Sequence, residues 1–195
     1  MQKLLNETAT KEKAHIIKEL QDELFHTEGK GWFKIISGSM YPLIHIDDKV
    51  LVRKISPSKI KLRDIILFEI DGVFVSHRVV KILRQKGKTK IMQKGDAGNH
   101  AFAIDPEIIV GRVVTIDKKG SFLSLESGRG KIISQFLGFL STLGYRFDSR
   151  MSVIKSWLRD KPGSVFLISL YRIIKKPYKL LNQLMIKIFF ARIMR

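Results

Sequence analysis

The chain contains no cysteine. That excludes disulfides and thiolate metal sites, and nothing argues for an oxidising compartment. Long apolar runs are missing too. None reaches 18 residues, so no ordinary membrane-spanning helix is expected. Residues 1–30, MQKLLNETATKEKAHIIKELQDELFHTEGK, are too polar and too acidic for a cleavable secretory signal. There is no internal repeat and no low-complexity tract. Acidic residues are in short supply, with 18 Asp+Glu against 36 Lys+Arg and a net charge of +18. The imbalance is uneven: 22 basic against 15 acidic residues over 1–120, then 14 against 3 over 121–195. Such a field attracts anionic lipid, nucleic acid or an acidic partner, and says nothing of the fold.

What is present suits one ordinary domain with appendages. Hydrophobic residues make up 45% of the 195, enough for a real core. Leu5, Ala9, Ala14, Ile16, Ile17, Leu20, Leu24 and Phe25 give residues 4–27 a helical stripe, stopped by TEGKG. From Phe33 to Ile116 the texture changes to short runs rich in β-branched and aromatic residues: VLVRKI, IILFEI, VFVSHRVVKIL, TKIMQKG and IIVGRVVTI. IDGV and QKGKT read as turns between them, and DKKGSFLSL as a final hairpin. Strands at this spacing predict an antiparallel, partly closed sheet. After Gly130 the sequence becomes helical in pattern, basic and very hydrophobic, punctuated by Pro162 and Pro177. The expected class is α+β, with an N-terminal amphipathic helix (1–30), a mostly antiparallel β domain (31–128) and a basic helical tail (129–195).

The chemistry centres on ISGSMYPLIHIDD, residues 36–48. Ser39 is either a turn residue beside glycine or a nucleophile, and a hydroxyl becomes a nucleophile only with a base. Strand alternation puts Val73, Val75, His77 and Val79 on one face, so His77 would sit on an apolar surface. A buried imidazole needs partners for both nitrogens. A serine hydroxyl on one and a carboxylate on the other would satisfy it, which is the geometry of a catalytic triad. The bland alternative is a core histidine satisfied by backbone. KGDAGNHAFAID offers Asp96 and Asp105 as the carboxylate, although Asp96 also suits an Asx-turn. Asp47, Asp48 and Asp64 read as turn residues, and His45 and His100 as surface loop residues. His100, Asp96 and Asp105 lack metal-ligand spacing, so no metal and no cofactor is expected.

SGSMYPLI, DDKVLVRK, LRDIILFEI, SHRVVKI, KGDAGNHAFAID and VGRVV occur in the order of the motif boxes of type I signal peptidases. Residues 33–117 thus resemble that superfamily of serine peptidases, which includes the self-cleaving LexA-like repressors. With His77 where other branches carry lysine, the chain is most similar to the Ser-His branch of the archaeal and endoplasmic-reticulum enzymes. The resemblance implies a signal-peptidase-like β fold, with Ser39 as nucleophile and His77 as general base. Asp105 and Asp96 compete for the supporting carboxylate. Ser37 joins the backbone N–H of Ser39 in the oxyanion hole, and Met40 and Pro42 line the substrate cleft. The implied activity is endopeptidase cleavage of a leader or signal-like segment from a peptide or protein precursor.

Residues 178–194 place Leu180, Leu181, Leu184, Met185, Ile188 and Phe189 on one stripe, opposite Lys179, Gln183 and Lys187. A basic helix with a broad apolar face suits an anionic membrane surface, so residues 131–195 are expected to bind lipid peripherally. Packing on a protein partner is the competing reading. Nucleic acid is not expected, since the cations are not arranged on a recognition helix or an aromatic platform. The expected location is the cytoplasm or the surface of the cytoplasmic membrane. Two other functions stay open: a non-enzymatic membrane-surface protein with a decayed peptidase domain, and a LexA-like self-cleaving regulator. The second would need a DNA-binding head and an Ala-Gly or Cys-Gly pair before Ser39, and neither is present.

Overall fold

The computed structural model describes Phe25 and residues 27–158, apart from residues 86 and 99. The helix expected over residues 4–27 therefore lies almost entirely outside the described residues, and so does the apolar stripe of residues 178–194. Among the described residues there are eight strands: β1 (Lys30–Lys34), β2 (Lys49–Arg53), β3 (Ile65–Ile70), β4 (Val73–Gln85), β5 (Lys88–Lys94), β6 (Ala101–Ile104), β7 (Ile109–Lys118) and β8 (Ser121–Ser124). One long helix, α1 (Gly128–Leu158), follows them.

The strands form one sheet in the order β1-β2-β7-β3-β4-β5-β6, with β8 paired to β7. Every pairing is antiparallel. This is the mostly antiparallel α+β arrangement that the runs of β-branched residues predict. The β3–β4 turn is the expected Asp-Gly hairpin, with Asp71 at φ 51° and Gly72 at φ 76°, the left-handed pair that a tight hairpin requires.

Both faces of the sheet centre are covered. Along β3 the side chains alternate: Ile65 and Leu67 enter one apolar cluster, Ile66 and Phe68 the other. The first cluster also holds Met40, Leu43 and Ile44 of the β1–β2 loop, Val50 and Val52, and Ile133 and Leu137 of α1. The second holds Ile60, Val79, Ile91 and Ile104.

The start of α1 is part of this packing. Ile133, Ser134, Leu137, Gly138, Ser141 and Thr142 recur at helical spacing and are buried. A side chain at Gly130 would stand 2.2 Å from the Ser124 carbonyl oxygen, so only glycine lets the helix come this near. The N-terminal part of the basic segment expected as a tail is thus a wall of the β domain. Its opposite face leaves Ile132, Phe139, Leu143 and Phe147 exposed. No helix among the described residues is long and apolar enough to cross a membrane.

Candidate active site

Ser39 sits in the loop joining β1 to β2. The loop is pinned at its base by Ile35 N–H to the Asp48 carbonyl (2.9 Å) and Asp47 N–H to the Ile35 carbonyl (2.9 Å). Asp48 adds a second clamp: its carboxylate accepts from His45 N–H (2.8 Å) and from Lys118 Nζ of β7 (2.9 Å). Past the serine, Met40, Leu43 and Ile44 are driven into the core, at 0–1% exposure. A tight turn, with Tyr41 N–H on the Gly38 carbonyl (3.1 Å), lifts Ser39 out of that anchored stretch. Ser39 is half-buried, and its hydroxyl lies 3.3 Å from that of exposed Ser37. Asp47, Asp48 and Asp64 behave as turn residues, with Asp64 accepting from Lys61 N–H (2.8 Å). Exposed His45 stacks on Tyr41, and His100 is exposed.

His77 lies on β4, facing the second cluster, its ring 5.9 Å from that of Phe68. Its Nδ1 is 2.5 Å from Gln93 Oε1 on the neighbouring strand β5. An amide oxygen can only accept, so the neutral ring carries its proton on Nδ1 and leaves Nε2 as the acceptor. Burial pushes the His77 pKa below the ordinary value; the Gln93 hydrogen bond and the charge of Asp96 act the other way, and Lys94 adds to the lowering. Burial thus favours the neutral imidazole, whose Nε2 can take a proton.

Gly95 shows how Ser39 and His77 meet. It lies just beyond the end of β5, where Lys94 pairs with Arg78. A Cβ on Gly95 would stand 2.7 Å from the Ser39 carbonyl oxygen, 3.2 Å from Ser39 Cβ and 3.1 Å from His77 Nε2. Serine and imidazole thus border one small space, which exists because residue 95 has no side chain. The loop is fixed to the serine by Ala97 N–H on the Ser39 carbonyl (2.9 Å). Among the described residues no hydrogen bond joins Ser39 Oγ to His77.

Neither expected aspartate hydrogen-bonds the histidine. Asp96 makes a bidentate pair with Arg78, at 2.8 Å to Nε and 2.6 Å to Nη2, and acts on His77 only through its charge. Asp105 is exposed and pairs with Lys90 at 2.7 Å. It borders a different cleft, of about 750 Å³, with Ile60, Ile82 and Pro106. β6 carries the chain from the Asp96 loop to this other end of the sheet, since Lys94 pairs with Ala101 and Ile91 with Ile104. The place beside Nδ1 belongs to Gln93, which sequence reasoning passed over. A signal was there: Gln93 alternates with Ile91 on an inward-facing strand, an odd place for an amide unless it serves a neighbour.

Arg78 was equally hidden. It is fully buried, and Nη1 also donates to the carbonyls of Arg63 (3.0 Å) and Ser134 (3.1 Å) and to the Ser134 hydroxyl (3.3 Å). Buried Lys94 donates to the Gly95 carbonyl (3.2 Å). The backbone that holds Ser39 therefore rests on a network of charges beneath it.

A cleft of about 350 Å³ runs from Ser37 and Ser39 along β1, over Met40, Leu67, Phe74 and Ser76. β1 pairs only with β2 among the described strands, so its other edge borders this cleft unpaired. Met40 borders this cleft, whereas Pro42 is buried and does not. Ser76 lines the floor, and its buried hydroxyl has no partner among the described residues. No group of three His, Asp or Glu among the described residues could hold a metal ion. No protein-family model matches the chain, and no curated protein matches it either.

Proposed function

We propose that the chain is a serine endopeptidase with a signal-peptidase-like catalytic domain, removing a leader or signal-like segment from a peptide or protein precursor. The observation that carries this is the convergence of Ser39 and the free Nε2 of His77 on the space left by Gly95. Ser39 Oγ attacks the scissile carbonyl as His77 Nε2 takes its proton. Gln93 holds the ring through Nδ1, and the positive charge that forms there is met by Asp96, one layer further out. The oxyanion falls to the Ser39 N–H and the Ser37 hydroxyl, a donor type worth roughly 3 kcal/mol in serine proteases. His77 then returns the proton to the leaving amine, and water releases the acyl group by the same route. The precursor lies as an extended strand on the free edge of β1.

The basic, apolar segment from residue 131 onwards serves to hold the enzyme peripherally on an anionic membrane, on its cytoplasmic side. The exposed apolar residues of α1 support this reading.

The test is reaction of the full chain with a fluorophosphonate, read by mass spectrometry at Ser39. Wild type labels; Ser39→Ala does not, and His77→Ala labels at least about a hundredfold more slowly. Absence of wild-type labelling together with tight liposome binding would instead mark a non-enzymatic membrane protein. Spontaneous cleavage of the purified chain before Ser39 would mark a self-cleaving regulator.

A further inference from the structure

We infer that α1 is a strut of the catalytic centre, with Ser134 and Gly138 as positioning residues that hold the Asp96 loop, and through it Ser39 and His77, in register. This rests on the catalytic reading of those two residues. Four links carry it. Ser134 supplies two of the acceptors of Arg78 Nη1, its carbonyl and its hydroxyl. Arg78 spends its other edge on both oxygens of Asp96. Asp96 sits between Gly95, which borders both reacting groups, and Ala97, whose N–H holds the Ser39 carbonyl. Gly138 sets the distance of the whole assembly. A Cβ there would stand 2.7 Å from Arg63 Cβ and 3.2 Å from Arg78 Nη1.

The coupling is stiff because it is dry. Arg78 has no exposure and the Asp96 side chain 4%, so no water can replace a lost acceptor without opening the core. A helix displaced by a few tenths of an ångström must therefore carry Arg78 with it or leave a buried donor unmet. Either way Asp96 moves relative to His77, whose charged form it favours. A merely structural helix would affect stability alone. A strut also changes the histidine. The described helix is itself the start of the basic segment, so whatever binds the exposed face of α1 acts on a lever that ends at the nucleophile.

The experiment uses the full chain with Gly138→Val, Ser134→Ala and, as a control on the exposed side of α1, Arg146→Gln. Two quantities are read: the rate of fluorophosphonate labelling, and the His77 titration followed by NMR of its ring protons. Gly138→Val should slow labelling by about tenfold or more while the protein still melts cooperatively. Its His77 should titrate at lower pH than in wild type, because part of the support from Asp96 is lost. Ser134→Ala should move both in the same direction by less, and Arg146→Gln should move neither. If Gly138→Val does not fold, the Ser134→Ala titration decides. A His77 titration identical to wild type in either folded variant overturns the inference. If wild-type Ser39 never labels but the helix variants still shift His77, the strut stands and the catalytic reading falls.

Discussion

Replacing Asp96 by alanine would leave Arg78 in the core with its charge intact and its carboxylate gone. The guanidinium is fully buried, with Nε and Nη2 aimed at the two Asp96 oxygens at 2.8 and 2.6 Å. Only Nη1 keeps its acceptors, on Arg63 and Ser134. Removing one member of a buried pair costs about 3–5 kcal/mol, because the survivor keeps its desolvation penalty. A whole domain is stable by only about 5–15 kcal/mol. At roughly 2–4 °C per kcal/mol for a chain of this size, the melting temperature should fall by about 6–20 °C.

The control separates the worth of the pair from the cost of orphaning it. Arg78→Met combined with Asp96→Leu replaces both charges by apolar groups of similar length. That double variant should be more stable than Asp96→Ala, by about 1 kcal/mol or more. Because the pair is dry, the Asp96→Ala loss should barely change between low salt and 1 M salt. The assay is denaturant unfolding of wild type, Asp96→Ala and the double variant, followed by circular dichroism. A loss below about 1 kcal/mol for Asp96→Ala would refute the reasoning, since it would mean that water or another group reaches Arg78 at little cost.

Four further outcomes follow from the same site. Gly95→Ala places a methyl group 2.7 Å from the Ser39 carbonyl oxygen, which cannot yield without moving Ser39; labelling of Ser39 should drop by about a hundredfold in a protein that still folds, and an unchanged rate would contradict the proposed convergence. His77 is needed neutral and burial lowers its pKa, so the labelling rate should rise with pH through a midpoint below the ordinary histidine value near 6.5 and be flat above pH 7, and a midpoint above 7 would contradict it. Gln93→Leu frees Nδ1, so the tautomer is no longer set and the labelling rate should fall by about 10–100-fold; the His77 titration should shift lower still, since the lost bond favoured the charged ring. Ser76→Ala removes a buried hydroxyl with no partner among the described residues, so stability should stay within about 0.5 kcal/mol of wild type or rise, as chemical denaturation would show.

The strands were legible because their cause is local. β-branched runs, period-two burial and an Asp-Gly turn act over a few residues, and β2, β3, β4, β5 and β7 fall where those runs lie. Ser39 and His77 were legible for a similar reason: one stands in a glycine-flanked turn, the other on the apolar face of a strand. The partners of His77 were not, since they depend on strand order. Gln93 reaches the imidazole only because β5 pairs with β4, a long-range fact. Asp96 and Asp105, nine residues apart, part company because β6 runs back along β5 and delivers Asp105 to Lys90. The seating of α1 had a sequence sign in Gly130 and Gly138, eight residues apart on one helical face. Glycines on a helix read as weak helix formers until something is known to press against them.

One step of register on β4 explains why a charged network can lie directly beneath a histidine whose burial favours its neutral form. Adjacent strand residues point to opposite faces, so His77 enters the cluster of Phe68 and Val79 while Arg78 enters the face covered by α1. The backbone of the sheet thus separates a titrating base from a permanent cation one residue away. Asp96 neutralises that cation just past the strand end, and its charge still reaches the imidazole. Continuing the β4–β5 register one step past Arg78–Lys94 brings Gly95 opposite His77. There the missing side chain lets a loop from the α1 side approach a base from the other. Ser39 and His77, from different layers, come near each other where β5 gives way to Gly95. In this chain that point is also where the helix, the buried arginine and the aspartate converge.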